Sequence, residues 1–171
     1  MKEKGVDEFF SAARTLKAEF GGEVAFDVVG FYEDAYKEQV DQLVADGIVR
    51  FHGFQTDVHP FYEAADCVVL PSYHEGMSNV LLEGAATGRA LITSDIPGCR
   101  EAAEDGVSGY LCPAQDAEGL TRAMRDFAQQ SFDRQVQMGQ SGRALVERKF
   151  DKQLVVAKTL DGLGLPAAVR S

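Results

Sequence analysis

Cys67-Val-Val-Leu-Pro-Ser-Tyr-His-Glu-Gly-Met-Ser-Asn-Val-Leu-Leu-Glu83 passes from an apolar run through a polar turn into a helical pattern. The run Cys67-Val-Val-Leu-Pro71 is short and apolar enough for a fully buried strand, while Val80, Leu81, Ala85 and Ala86 give a helix-period apolar face. At the start of such a helix the first N–H groups have no intrahelical partner and the dipole is positive. Gly76, Met77, Ser78 and Asn79 therefore offer donors to a phosphate, and Gly76 permits close approach. Two glutamates beside an anion site would repel a bare phosphate, so they need other work. An ionised carboxylate accepts hydrogen bonds, and sugar hydroxyls fit that role. Glu83 lies inside the helix and leans toward its N-terminus, while Glu75 precedes the helix and is free to face the same pocket. On one regular helix, eight positions would set the two carboxylates about 12 Å apart in rise and about 80° apart in rotation. A bare Glu-x7-Glu spacing therefore reads as two solvated surface carboxylates. The flanking strand and glycine turn are what make it a site.

Outward from this stretch, strand and helix patterns alternate. Val6, Phe9, Phe10, Ala13, Leu16 and Phe20 recur at helical spacing, Gly21-Gly22 stops that helix, and Val24–Gly30 reads as a strand. A helix over Glu33–Ala45, a strand over Ile48–His52, a short helix over Val58–Ala64 and the strand Cys67–Leu70 continue the pattern. After the site helix come a strand over Ala90–Ser94, Pro97 in a first-turn position, turns at Gly106 and Gly109, and a short strand over Gly109–Cys112. Helices over Ala117–Ala128, Phe132–Lys149 and Lys152–Leu163 close the chain. This alternation predicts an α/β fold, a Rossmann-like parallel sheet flanked by helices, with ligands at the carboxyl ends of the strands.

The 171 residues are 45% hydrophobic and suit one core. No linker, repeat or low-complexity tract divides them, and no apolar segment approaches the roughly 18 residues of a membrane span. Met1-Lys-Glu-Lys leads straight into an amphipathic helix without a signal-peptide pattern, so a cytoplasmic location is expected. The formal charge of −10 argues against nucleic-acid binding, which clustered Lys and Arg drive. A small nucleotide is compatible, because a local lysine and a helix end dominate a pocket while the overall field is screened beyond about 8–10 Å. Three cysteines, Cys67, Cys99 and Cys112, form neither a Cys-x-x-Cys pair nor an even disulfide set. Cys67 and Cys112 adjoin apolar strand residues and read as small core hydrophobes. His52, His59 and His74 lack ligand spacing, and there is no Asp-x-Asp pair, so neither a metal site nor a cofactor is expected.

His74-Glu75-Gly76-Met77-Ser78-Asn79-Val80-Leu81-Leu82-Glu83 resembles the Glu-x7-Glu signature of retaining glycosyltransferases of the GT-B fold, the large family four. Gly88-Arg-Ala-Leu-Ile-Thr-Ser-Asp-Ile-Pro-Gly98, Cys99-Arg-Glu101 and Glu104-Asp-Gly-Val-Ser-Gly-Tyr-Leu-Cys-Pro113 resemble that family's later strands and turns in order. Glu3-Lys-Gly-Val6, Val28-Val29-Gly30 and Val49-Arg-Phe-His-Gly53 resemble its earlier elements. The ordered set covers nearly the whole chain and is similar to bacterial polysaccharide-assembly transferases. The resemblance implies the C-terminal, donor-binding half of a GT-B enzyme. That enzyme would transfer a sugar from a nucleotide diphosphate, UDP by preference, to a glycan or lipid-linked acceptor, with retention and without a metal. By the same resemblance Glu83 holds ribose hydroxyls and Glu75 is the catalytic carboxylate beside the transferred sugar. The N–H groups from Gly76 through Val80, with Lys4, stabilise the departing diphosphate. Phe54 and its loop line the base.

The opening departs from the family pattern. The chain begins with the helix that follows the family's central first strand, and only Lys4 remains of an Arg and Lys pair. Lys4, beside Gly5 at a second helix N-terminus, can still reach a phosphate. A sheet lacking its first strand leaves the neighbouring strands unpaired. A truncated enzyme is therefore expected, without its acceptor-binding half, inactive alone, and membrane-peripheral at most when complete. Two other readings compete. A GT-B-like sugar-nucleotide epimerase shares the paired Rossmann halves, but the ordered Glu-x7-Glu element favours the transferase. An acidic receiver module shares size and alternation, but needs an Asp at the carboxyl end of a central strand, whereas Asp66 precedes Cys67. Glu101 reads either as a brace for the phosphate loop or as a first-turn carboxylate. Gly84-x3-Gly88 reads as close packing of the site helix on its strands.

Overall fold

A computed structural model of the chain describes residues 2–151 together with Val156 and Leu160. The helix expected at Lys152–Leu163 lies outside the described residues except at those two positions, both helical. The elements are α1 (Val6–Phe20), β1 (Asp27–Val28), α2 (Lys37–Ala45), β2 (Arg50–Phe51), α3 (His59–Ala64), β3 (Cys67–Leu70), α4 (Asn79–Ala86), β4 (Ala90–Ser94), β5 (Gly109–Cys112), α5 (Ala117–Ala128) and α6 (Phe132–Phe150). Side chains at the N-cap positions start the later helices. Ser78, Asp116 and Ser131 accept the N–H groups of Leu81, Gly119 and Arg134, satisfying donors that a helix start otherwise leaves open.

Every strand pairing is parallel, and the strands form two sheets, in line with the expectation that strands neighbouring the absent first strand are left unpaired. β3, β4 and β5 pair in that order, Cys67 opposite Ala90 and Leu91 opposite Gly109. β1 pairs with β2, Asp27 opposite Arg50, and no ladder joins β1 to β3 among the described residues. The strands at Val24–Gly30 and Ile48–His52 shrink to two residues each for the same reason. A ladder that has a partner on one side only is held by few bonds, here Arg50 N–H to the Phe26 carbonyl and His52 N–H to the Val28 carbonyl.

α1 bridges the two sheets. Ala12 and Leu16 enter the core beneath β4 and β5 with Ile92, Leu120, Phe127 and Met138, while Phe10 and Ala13 enter the core of the smaller sheet with Val40, Leu43 and Val49. Leu91 turns to the opposite face of β4 and packs with Leu81, Ala85, Cys99 and Val146. Both faces of β4 are thus covered, which is why its five residues are all buried and its sequence reads apolar without alternation. Each fully buried aliphatic chain such as Leu91 or Ile92 contributes about 1.5–3 kcal/mol over its exposed state. Gly84 lets α4 approach β3 and β4, since a Cβ there would lie 2.8 Å from Val68 Cγ2, whereas Gly88 faces open space and serves the following turn.

Candidate functional site

β3 delivers Pro71 and Ser72, both buried, to a turn that ends on Ser78, the N-cap of α4. Ser78 is 4% exposed, its hydroxyl accepts Leu81 N–H, and its own N–H donates to the Gly98 carbonyl at 3.4 Å. That bond corrects the expectation that every N–H from Gly76 through Val80 faces a ligand. Ser78 is spent on the neighbouring turn, while the N–H groups of Gly76, Met77, Asn79 and Val80 carry no partner among the described residues. These four residues are exposed, so the donors at the positive end of α4 are open to an anion.

Glu75 is held beneath this turn. Its side chain is 12% exposed, and Lys4 Nζ at 2.6 Å and Ser72 Oγ at 2.8 Å both meet its Oε1. Lys4 reaches it because the start of α1 docks on the end of β3. Tyr73 N–H donates to the Glu3 carbonyl at 2.8 Å, and Gly5, at φ 69°, lies so close that a Cβ would sit 2.0 Å from the Pro71 carbonyl oxygen. No side chain caps α1. The N-terminal ends of α1 and α4 therefore flank one turn, with a lysine between them. Lys4, expected on phosphate, pairs here with Glu75 and keeps 55% of its side chain exposed.

Glu83 is exposed on α4, and the hydroxyl of Tyr62 from α3 donates to its Oε2 at 3.2 Å. Burial first, and then the negative charge of Glu83, pushes the Tyr62 hydroxyl up to about 12. Burial and a 2.6 Å bond to Glu8 do the same for Tyr73, also to about 12. An acid whose folded pKa lies above its unfolded value of about 10 favours folding below pH ~10, and that contribution is lost as pH rises from there to about 12. Absorbance titration of tyrosinate is expected to show Tyr62 and Tyr73 ionising late, with Tyr36, raised by burial and its bond to Asp7, also delayed, and a falling melting temperature across that window. Ionisation of all the tyrosines together near pH 10 would contradict it.

The segment after β4 is a run of tight turns rather than the helix start expected at Pro97, because Gly98 at φ 87° leaves helical geometry. Gly98 N–H donates to Glu101 Oε2 at 2.7 Å, and a Cβ on Gly98 would lie 1.7 Å from the Gly76 carbonyl oxygen. Glu101 thus braces the Gly98 turn where it packs against the Gly76 turn. Cys99, fully buried behind it, has its thiol pushed up by burial and is an inert core group. Phe54, 59% exposed, stacks on Phe31, 72% exposed, with ring centroids 4.8 Å apart and planes 10° apart. Their loops leave the carboxyl ends of β2 and β1 and are tied by Gly30 N–H to the Gly53 carbonyl at 2.9 Å. Sequence patterns pointed to neither Tyr62 nor Phe31, whose contacts lie across chain separations that periodicity does not reach. Among the described residues, no group of three or more His, Cys, Asp or Glu side chains is placed to hold a metal, and no helix is long and apolar enough to cross a membrane.

The family model described as "Glycosyl transferases group 1" matches residues 1–130. A glycogen synthase of Mycobacterium tuberculosis is 31% identical over 160 residues, 92% of this chain and 38% of the relative. The lipopolysaccharide core biosynthesis glycosyltransferase LpsE of Rhizobium meliloti is 29% identical over 126 residues, 74% of this chain and 37% of the relative. The C-terminal domain of a glycosyl transferase group 1 family protein (LpcC) from Francisella tularensis superposes with a TM-score of 0.77 at 25% identity, over 89% of this chain and 82% of that one. Anabaena HepE, solved in complex with UDP, has the same fold, with a TM-score of 0.81 at 21% identity over 96% of this chain and 46% of that one.

Parallel strands flanked by helices, superposing on solved glycosyltransferase domains, give the chain the fold of the GT-B class. The chain belongs to the group 1 glycosyl transferases. It spans 37–38% of the length of the two curated relatives described above.

Proposed function

We propose that this chain is the donor-binding domain of a retaining, polysaccharide-assembly glycosyltransferase that holds a nucleotide-diphosphate sugar, UDP-linked by preference. The observation that carries the reading is the α4 N-terminus. Four open N–H groups lie between Glu75, anchored to Lys4 and Ser72, and Glu83, anchored to Tyr62. The diphosphate takes the N–H groups of Gly76, Met77, Asn79 and Val80, with Lys4 as its cation. Glu83 takes the ribose hydroxyls. Glu75 accepts from the sugar and stands near the positive charge that develops at the anomeric carbon. Phe54, with Phe31 stacked on it, flanks the base.

When the glycosidic bond to the diphosphate breaks, negative charge grows on the leaving oxygen, and preorganised donors aimed there are worth most. Lys4 is already in place through Glu75, and its exposed side chain can share its charge with an arriving diphosphate. The sugar passes to a hydroxyl of a glycan or lipid-linked acceptor supplied from outside this domain, in the cytoplasm or at the membrane surface. The UDP complexes of HepE support the choice of nucleotide.

Calorimetry with UDP, GDP and ADP tests the reading. One nucleotide, expected to be UDP, binds best, and Lys4→Ala weakens it about tenfold, the loss of one exposed charge-assisted contact. The same variant flattens the salt dependence of binding. A folded domain that binds none of the three defeats the proposal.

A further inference from the structure

The ribose reading of Glu83 leaves open how an exposed carboxylate on the surface of α4 is kept in one orientation. A free glutamate side chain loses about 1.5–2 kcal/mol of rotamer freedom when a ligand fixes it, and that loss subtracts from affinity. The structure answers with α3. Tyr62 is 8% exposed, and its hydroxyl donates to Glu83 Oε2 at 3.2 Å. α3 is itself held at both ends. Phe61 packs its ring on His52 with centroids 4.8 Å apart, and Arg89 Nη1 donates to the Ala65 carbonyl at 3.0 Å, tying the C-cap of α3 to the start of β4. The tyrosine therefore acts as a fixed post rather than a mobile side chain. Because the phenol stays protonated through the neutral range, it is always the donor and Glu83 always the acceptor. One carboxylate oxygen is occupied and the other keeps its lone pairs for a ligand hydroxyl.

We propose that Tyr62 is a positioning residue for Glu83, pre-setting the carboxylate that discriminates a ribonucleotide from a nucleotide lacking ribose hydroxyls. The proposal rests on the donor-site reading above and adds a residue that neither the Glu-x7-Glu spacing nor the family match assigns. It has a signature that a packing role lacks. Removing the phenol oxygen weakens only those ligands whose hydroxyls bind Glu83, since the diphosphate is taken by backbone N–H groups and Lys4, and the base lies against the loops after β1 and β2.

The probes are UDP and 2′,3′-dideoxyuridine diphosphate, titrated calorimetrically into the wild-type chain, Tyr62→Phe, Glu83→Ala and the double variant. Wild type is expected to prefer UDP. Tyr62→Phe is expected to weaken UDP about tenfold, the rotamer freedom that an unheld Glu83 must then give up on binding, and to leave the dideoxy ligand unchanged. In the Glu83→Ala background, Tyr62→Phe adds no further loss. Equal weakening of both ligands by Tyr62→Phe, or no weakening of either, overturns the positioning role while leaving the donor site standing. A wild type that does not discriminate the two ligands overturns the ribose reading of Glu83 itself, and the positioning role with it. Should Tyr62→Phe fail to fold by circular dichroism, Glu83→Gln serves in its place. That variant retains an acceptor oxygen for Tyr62 and is expected to keep a reduced preference for UDP over the dideoxy ligand. Complete loss of that preference with the Tyr62 contact intact would overturn the proposal.

Discussion

Gly98→Ala is expected to lower the stability of the domain by about 2–5 kcal/mol and to abolish measurable nucleotide binding. Two effects add. At φ 87° an L side chain is strained by about 1–2 kcal/mol, and the new methyl would lie 1.7 Å from the Gly76 carbonyl oxygen and 2.6 Å from that of Glu75. Backbone lines the contact on both sides, so no side-chain rotation relieves it. Either the Ile96–Cys99 turn or the Glu75–Gly76 turn must move. The first is pinned by the Gly98 N–H bond to Glu101, and the second carries the open N–H groups on which the proposed diphosphate site rests. A displacement of about 1 Å at such a turn costs on the order of 100-fold in a reaction that depends on alignment. Thermal melting is expected to fall by roughly 5–15 °C for a domain of this size. A variant that melts like wild type and still binds UDP would show that the two turns are not mechanically joined.

Glu83→Ala is expected to weaken UDP about 100-fold with little change in melting temperature. Two hydroxyls of a ribose would each make a charge-assisted bond of about 1.5–3 kcal/mol to the carboxylate, discounted by water competition at an exposed site. Truncation removes both. The fold is spared because Glu83 is exposed and its one described side-chain contact is a single 3.2 Å bond from the Tyr62 hydroxyl. Glu83→Gln retains an acceptor oxygen without the charge and is expected to fall between, at about tenfold. Calorimetry on both variants reads the series. Wild-type affinity in Glu83→Ala would move the ribose site elsewhere.

The alternation of elements, the strand at Cys67–Leu70, the helix behind the polar turn and the strand at Ala90–Ser94 were legible in the sequence, and the Ser78 cap of α4, which the pattern reading passes over, is of the same local kind. Each depends on neighbours within a few residues. A capping hydroxyl bonds three positions on, a helical stripe repeats every three or four, and a strand covered on both faces is apolar at every position. The Glu75 to Glu83 spacing was legible too, because a strand, a glycine turn and a helix start set it locally.

The partners of those carboxylates were decided elsewhere. Lys4 meets Glu75 across 71 positions and Tyr62 meets Glu83 across 21, and both contacts exist because α1 and α3 dock where the cores place them. Lys4 consequently serves Glu75, and Ser78, expected to offer its N–H to a ligand, gives it to the Gly98 carbonyl while its side chain caps α4. The division of the strands into two sheets was expected, but the shortening of β1 and β2 to two residues each is of the same kind. Periodicity marks a residue as extended, but a ladder needs a second extended segment alongside, and β1 and β3 share none among the described residues. Local chemistry along the chain determined which groups this protein offers to a ligand. Packing between segments distant in sequence determined which of those groups are already engaged, and by what.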